Sequence, residues 1–236
     1  MIGILIILGV SWLLLHYFEK ENLGVLGFRP VMNGLQQFII GLSFIIFLKL
    51  LFILIETQVN GISWSLNQSF DYRSLFGSFW YHLKSALTED LIFRAALLYL
   101  LIKRLGMYRA IFLLAVAFGV YHWFSYGLLG SRIIVLLYVF LTTGFTGYVW
   151  GYTYAKTKSI LMPLGFHLGW NFINTLFYDT QPYGQLLFQE TGNMALQEPY
   201  QTYFSLFIGF APSIITLIFV KSVLKIPSIN NLFNSA

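Results

Sequence analysis

Cysteine is absent from the 236 residues, so disulfides, thiolate catalysis, Cys-ligated zinc and S-acylation are all excluded. Charge is scarce as well. Only 10% of residues are charged against 58% hydrophobic, and the mean hydropathy of +0.73 exceeds what a soluble domain needs to close one core. No charged heptad persists and the 20 glycines follow no triplet period, which excludes a coiled coil and a collagen helix. Apolar dominance excludes disorder. What remains is an all-α fold, a polytopic transmembrane helix bundle. Lys and Arg number 14 and Asp and Glu 9. In so oily a chain that surplus marks the cytoplasmic flanks of spans and points to no nucleic-acid partner.

A bilayer core about 30 Å thick is crossed by about 20 apolar residues in a helix. Seven stretches qualify, within a range of six to eight: Ile2 to Phe18, Leu35 to Ile55, Ser78 to Ile102, Ala110 to Tyr126, Ile133 to Trp150, Ile160 to Phe177, and Tyr203 to Val220. Met1 to Phe18 lacks a basic leading region and a small-residue cleavage site, so it reads as a retained span. The connections divide their basic residues unevenly. Lys20, Arg29, Lys103, Arg104, Arg109, Lys156, Lys158, Lys221 and Lys225 fall on one side, and only Arg73 and Arg132 on the other. The positive-inside rule then puts the N-terminus outside and the C-terminus in the cytoplasm, with a bacterial plasma membrane as the expected location. Trp80, Tyr81, Trp123, Tyr126, Trp150 and Tyr152 lie near span ends and read as interface anchors. No internal repeat or soluble insert interrupts residues 1–236, which read as one membrane domain. Two outer connections, Glu56 to Gly77 and Tyr178 to Thr202, are long enough to act as lids or loose connectors.

Ionisable groups inside spans are costly and are functional suspects by default. The third span holds Glu89, Asp90 and Arg94 near its middle, with His82 and Lys84 above them. Asp90 and Arg94 are one turn apart, acid first, the favourable order for an intrahelical ion pair. Glu89 projects about 100° away and must find a partner on another helix. The fourth span carries Phe118-x-x-x-His122. The sixth carries His167, Asn171 and Asn174 at i, i+4 and i+7, a polar stripe that belongs against the bundle interior or a wet cavity. Each pattern alone has a plain structural account: a salt bridge, a chance spacing, or polar side chains gluing helices together. Pro163, Gly165 and Gly169 would allow a kink or close packing of the sixth span.

Together and in order, Glu89-Asp90-x-x-x-Arg94, Phe118-x-x-x-His122 and His167-x-x-x-Asn171 resemble the motifs of the CAAX protease and bacteriocin-processing family, the CPBP or Abi family. That family includes the type II CAAX prenyl endopeptidases. The lead-in Ser159-Ile-Leu-Met-Pro163 is similar too, and the resemblance covers about residues 78–177. One position departs from the family pattern, Asp90 standing where a second Glu is usual.

The resemblance implies an intramembrane endopeptidase that cleaves a membrane-associated or lipidated peptide. Glu89 would be the general base, taking a proton from water and passing it to the leaving amine. His122 would hold or polarise the same water, while His167 and Asn171 donate to the oxyanion. Asp90, Arg94 and Phe118 would support the site structurally. The expected partners are a membrane-bound peptide or protein substrate and the lipid bilayer. No cofactor is expected, and the alternative is zinc held by Glu89, His122 and His167 with one open position. Two other classes compete. One is a non-catalytic scaffold or regulator of another membrane protein; the other is a proton-coupled transporter, which the absence of inverted repeats disfavours.

Overall fold

In a lipid solvent every backbone N–H and C=O must be paired within its own segment or a closed sheet, and a chain this apolar answers with helices. The computed structural model describes residues 2–28, 30–179, 182–194 and 196–226. Its helices are α1 (Ile2–Glu19), α2 (Val31–Val59), α3 (Tyr72–Phe93), α4 (Ala96–Leu105), α5 (Met107–Ser125), α6 (Ile133–Thr157), α7 (Leu161–Phe177) and α8 (Tyr200–Val223). A short 3-10 turn, Leu23–Leu26, leads into α2. Five helices are long and apolar enough to cross a membrane: α1, α2 with that turn, α5, α6 and α8. Their outward faces expose large apolar side chains such as Leu13, Phe47, Phe112, Ile134 and Ile218, a surface suited to lipid. The chain is an integral membrane protein built as an α-helical bundle.

The expected span Ser78 to Ile102 is two helices, α3 and α4, divided at Arg94 and Ala95. No proline or glycine announces the break. Arg94 caps α3 with φ −131° and ψ 5°, Ala95 follows at φ −101° and ψ −122°, and both are buried. The bend lies where the Arg94 guanidinium turns inward. Pro163 stands in the first turn of α7, where a missing N–H interrupts no helical bond, and it produces no kink.

The two long connections are joined to each other. β1 (Ser63–Leu66) pairs antiparallel with β2 (Phe188–Gly192), with Trp64 opposite Glu190 and Leu66 opposite Phe188. Such a ribbon requires both connections to lie on one side of the bundle, as the alternation of spans expects. At the opposite end Glu19 accepts from Lys103 and Arg104, each at 3.0 Å, tying α1 to α4. Arg29, one of the basic residues assigned to that side, lies outside the described residues.

Close packing of α2 on α7 fixes the helix that carries His167 and Asn171. A Cβ on Gly165 would come within 2.5 Å of the Phe38 carbonyl oxygen, and one on Gly41 within 2.5 Å of the Met162 carbonyl oxygen. Backbone approaches this near are open only to glycine, and in a membrane small residues are what bring helices together. On the other flank, Gly147 of α6 leaves space for the Phe118 ring, which a Cβ would meet at 2.8 Å.

Candidate active site

A cavity of about 570 Å³ opens between α3, α5, α6, α7 and α8, and Glu89, His122, His167 and Asn171 all line it. The three motifs, distant in sequence, are therefore brought to one chamber. Glu89 and His167 face each other across it, Oε2 to Nε2, at 3.7 Å. Glu89 Oε1 accepts from Ser85 one turn earlier at 3.4 Å, whereas Oε2 is buried with no hydrogen-bond partner.

His122 is held by its own helix. Its Nδ1 lies 2.7 Å from the Phe118 carbonyl oxygen, which only accepts, so Nδ1 carries the proton. In the neutral ring Nε2 is then a free acceptor. His167 is oriented the same way from another helix: Nδ1 lies 3.3 Å from Asp90 Oδ1, turning Nε2 toward Glu89. The Trp150 ring lies against it, centroids 4.7 Å apart.

Beneath the chamber, Asp90 pairs with Arg94, and both are almost wholly removed from solvent. Arg94 is further covered by two aromatic faces, Phe118 at 4.4 Å and Trp150 at 4.9 Å from the guanidinium carbon. These contacts offset part of the cost of burying a charge whose Nε and Nη2 have no hydrogen-bond partner. The expected support group of Asp90, Arg94 and Phe118 forms one layer. Asp90 also reaches His167, a link that motif spacing alone does not contain.

Other residues of the chamber were not singled out by motif. His82 lines it and bonds through Nε2 to the Thr175 hydroxyl at 2.7 Å. Its spacing was a signal available in the sequence, since His82, Ser85 and Glu89 recur at i, i+3 and i+7 on one face of α3. Trp150, expected at a membrane interface, is a buried wall of the chamber. Thr142, Thr143 and Thr146 of α6 donate their hydroxyls to carbonyls one turn back on their own helix. Thr146 also bonds to the Ser213 hydroxyl of α8 at 2.7 Å.

Glu89, His122 and His167 share the chamber, yet among the described residues no three His, Asp or Glu side chains stand together as a metal-ligand set.

A helical membrane protein whose buried chamber gathers a carboxylate, imidazoles and carboxamides is built for polar chemistry within the bilayer. Residues 72–173, from the start of α3 into α7, match the family model described as Type II CAAX prenyl endopeptidase Rce1-like. The matched segment is similar to that family, contains all three motifs and is consistent with the CPBP resemblance. No curated protein and no solved structure matches the chain.

Proposed function

We propose that the chain is an intramembrane endopeptidase in which Glu89 activates water against a peptide bond of a membrane-associated or lipidated substrate. The observation that carries this is the convergence of Glu89, His122, His167 and Asn171 on one cavity. A water between Glu89 and His122 gives up a proton to the carboxylate while its other hydrogen points at the acceptor Nε2 of His122. The water oxygen bonds to the carbonyl carbon, and the C=O electron pair moves onto oxygen. Asn171 Nδ2 donates to that oxyanion. His167 Nε2 joins it when the ring carries both protons, Nδ1–H remaining on Asp90. Glu89 then delivers the proton to the amide nitrogen, the C–N bond breaks, and an acid and an amine leave. One water is consumed and Glu89 returns to its starting form.

The substrate class rests on the Rce1-like match and on a chamber sunk among apolar helices. An orientation with the N-terminus outside is supported by the uneven share of basic residues between the two sets of connections. The test compares membrane peptidomes of cells producing wild type and Glu89→Gln at equal levels. Peptides that accumulate uncut only with Glu89→Gln are the expected result. Identical peptidomes, or full complementation by both Glu89→Gln and His122→Ala, would favour the scaffold instead. Activity that survives a strong chelator, with less than stoichiometric zinc in the purified protein, is expected of this mechanism; stoichiometric zinc lost in His122→Ala would replace it with a metalloprotease.

A further inference from the structure

Glu89 borders a second cavity. About 310 Å³ in volume, it is walled by α3, by Tyr121 of α5 and by Gly3 and Ile4 at the start of α1. Tyr81, Ser85 and Glu89 line both cavities, so the carboxylate stands where the two meet. Their chemistry differs. Among the described residues the larger chamber has no Lys or Arg on its wall, and Glu89 is its one carboxylate amid hydroxyls, carboxamides, imidazoles, aromatic rings and aliphatic side chains such as Ile45 and Ile208. The smaller one contains Lys84, its sole cation among the lining residues. Lys84 is half-buried and forms no ion pair among the described residues, so its charge is open to an anion that enters this cavity.

The geometry points to Lys84 as a specificity residue that binds a carboxylate on the leaving side of the substrate. This rests on the endopeptidase reading above. Lys84 precedes Glu89 by five residues on α3, a rise of about 7.5 Å. An extended peptide covers about 3.3 Å per residue, and the turn of about 140° between the two positions adds to the axial rise, so the anion belongs two or more residues beyond the bond under attack at Glu89. The amine product occupies the smaller cavity, and the remainder of the substrate lies in the larger one. Gly3 suits this division: a Cβ placed there would meet nothing within 4 Å, so the end of α1 leaves open space beside Lys84. The carboxylate can belong to the substrate's own C-terminus or to an acidic side chain at that position.

Binding to the full-length Glu89→Gln protein in lipid nanodiscs separates recognition from cleavage. The probes are fluorescent, lipid-anchored hydrophobic peptides of one sequence, ending in a free carboxylate, in a carboxamide, or in a carboxamide with Asp two residues after the intended cleavage point. The free carboxylate should bind about tenfold more tightly than the plain carboxamide, as a charged hydrogen bond warrants. The Asp peptide reports whether a side chain suffices. Adding Lys84→Ala should erase the difference, Lys84→Arg should keep most of it, and Lys84→Glu should invert it toward a peptide carrying Lys at that position. Equal or undetectable binding of the carboxylate and carboxamide peptides to Glu89→Gln overturns the assignment, as does a preference that survives Lys84→Ala. Carboxylate-selective binding lost with Lys84→Ala, together with wild type that leaves every bound peptide intact, would uphold the Lys84 site and refute the peptidase.

Discussion

Asp90 Oδ1 accepts from two helices at once, from Arg94 Nη1 one turn along α3 and from His167 Nδ1 of α7 at 3.3 Å. One oxygen therefore neutralises the buried guanidinium and sets the direction of an imidazole in the chamber. Asp90→Asn keeps the shape and removes the charge. It should destabilise the protein by about 3–5 kcal/mol, the usual consequence of leaving one member of a buried pair uncompensated. Asp90→Glu, which keeps the carboxylate and matches the second Glu of the motif this segment resembles, should lose far less. Thermal unfolding in detergent measures both, and an Asp90→Asn protein as stable as wild type would show that Arg94 is compensated elsewhere.

Phe118 has a role beyond the one its spacing from His122 suggests. The histidine is anchored by the backbone carbonyl of residue 118, which any side chain would leave in place. The phenyl ring itself serves both neighbours, packing edge-on against the His122 imidazole with centroids 4.4 Å apart and lying 4.4 Å from the Arg94 guanidinium carbon. Phe118→Leu should then cost about 2 kcal/mol of stability through the lost cation–π contact while changing kcat little. Phe118→Ala adds a cavity and should cost about 3–5 kcal/mol. A kcat that collapses in the leucine variant while stability holds would mean that the ring positions His122 after all.

Glu89→Gln should separate stability from activity in the opposite sense. Oε2 of Glu89 is buried without a hydrogen-bond partner, so the native carboxylate is held at some cost to folding. Replacing it with an amide should leave the melting temperature unchanged or raise it. The peptidase rate should fall by roughly 10²- to 10⁴-fold, the range of a lost general base, with KM nearly constant. Thermal scans and single-turnover cleavage of a lipid-anchored peptide give both quantities. Loss of rate accompanied by unfolding would reduce Glu89 to a structural residue.

What could be read in the sequence follows the physical range of each signal. Hydropathy alone reports membrane helices, because the bilayer acts on every residue in the same way, and the spans beginning at Ile2, Leu35 and Ile133 are helices where expected. Helical spacing places His167 and Asn171 on one face, and the structure puts both on the chamber wall. The break at Arg94 gave no such signal, because it is associated with a buried guanidinium and not with a residue that dislikes helix. The β1–β2 ribbon joins segments more than 120 residues apart, as in the pairing of Trp64 with Glu190; β1 alternates over only four residues, Ser63-Trp64-Ser65-Leu66, and β2 does not alternate at all. Trp150 read as an interface anchor because position along a helix does not reveal which face carries the ring. The Asp90 link to His167 depends on how α7 lies against α3, and no periodicity encodes that.

The packing of α7 on α2 predicts an effect on chemistry from outside the chamber. A Cβ on Gly165 would meet backbone, the Phe38 carbonyl oxygen at 2.5 Å and the Leu42 nitrogen at 2.8 Å, so α2 and α7 must separate to accept it. On Gly169 the nearest atoms are side-chain carbons, Ile45 Cγ2 at 2.4 Å and Leu42 Cδ1 at 3.1 Å, which can be trimmed or can rotate. Gly165→Ala should therefore cost about 1–3 kcal/mol of stability as an overpacked site. Because His167 is two residues away, a displacement of about 1 Å should also lower kcat by roughly 10²-fold through the Glu89–His167 geometry. Gly169→Ala should be milder on both counts and be rescued by Ile45→Ala, whereas Gly165→Ala should resist rescue by any side-chain truncation on α2. Kinetics and thermal unfolding of the three variants decide it. Equal behaviour of the two glycine variants would mean that α7 is free to shift without disturbing the site.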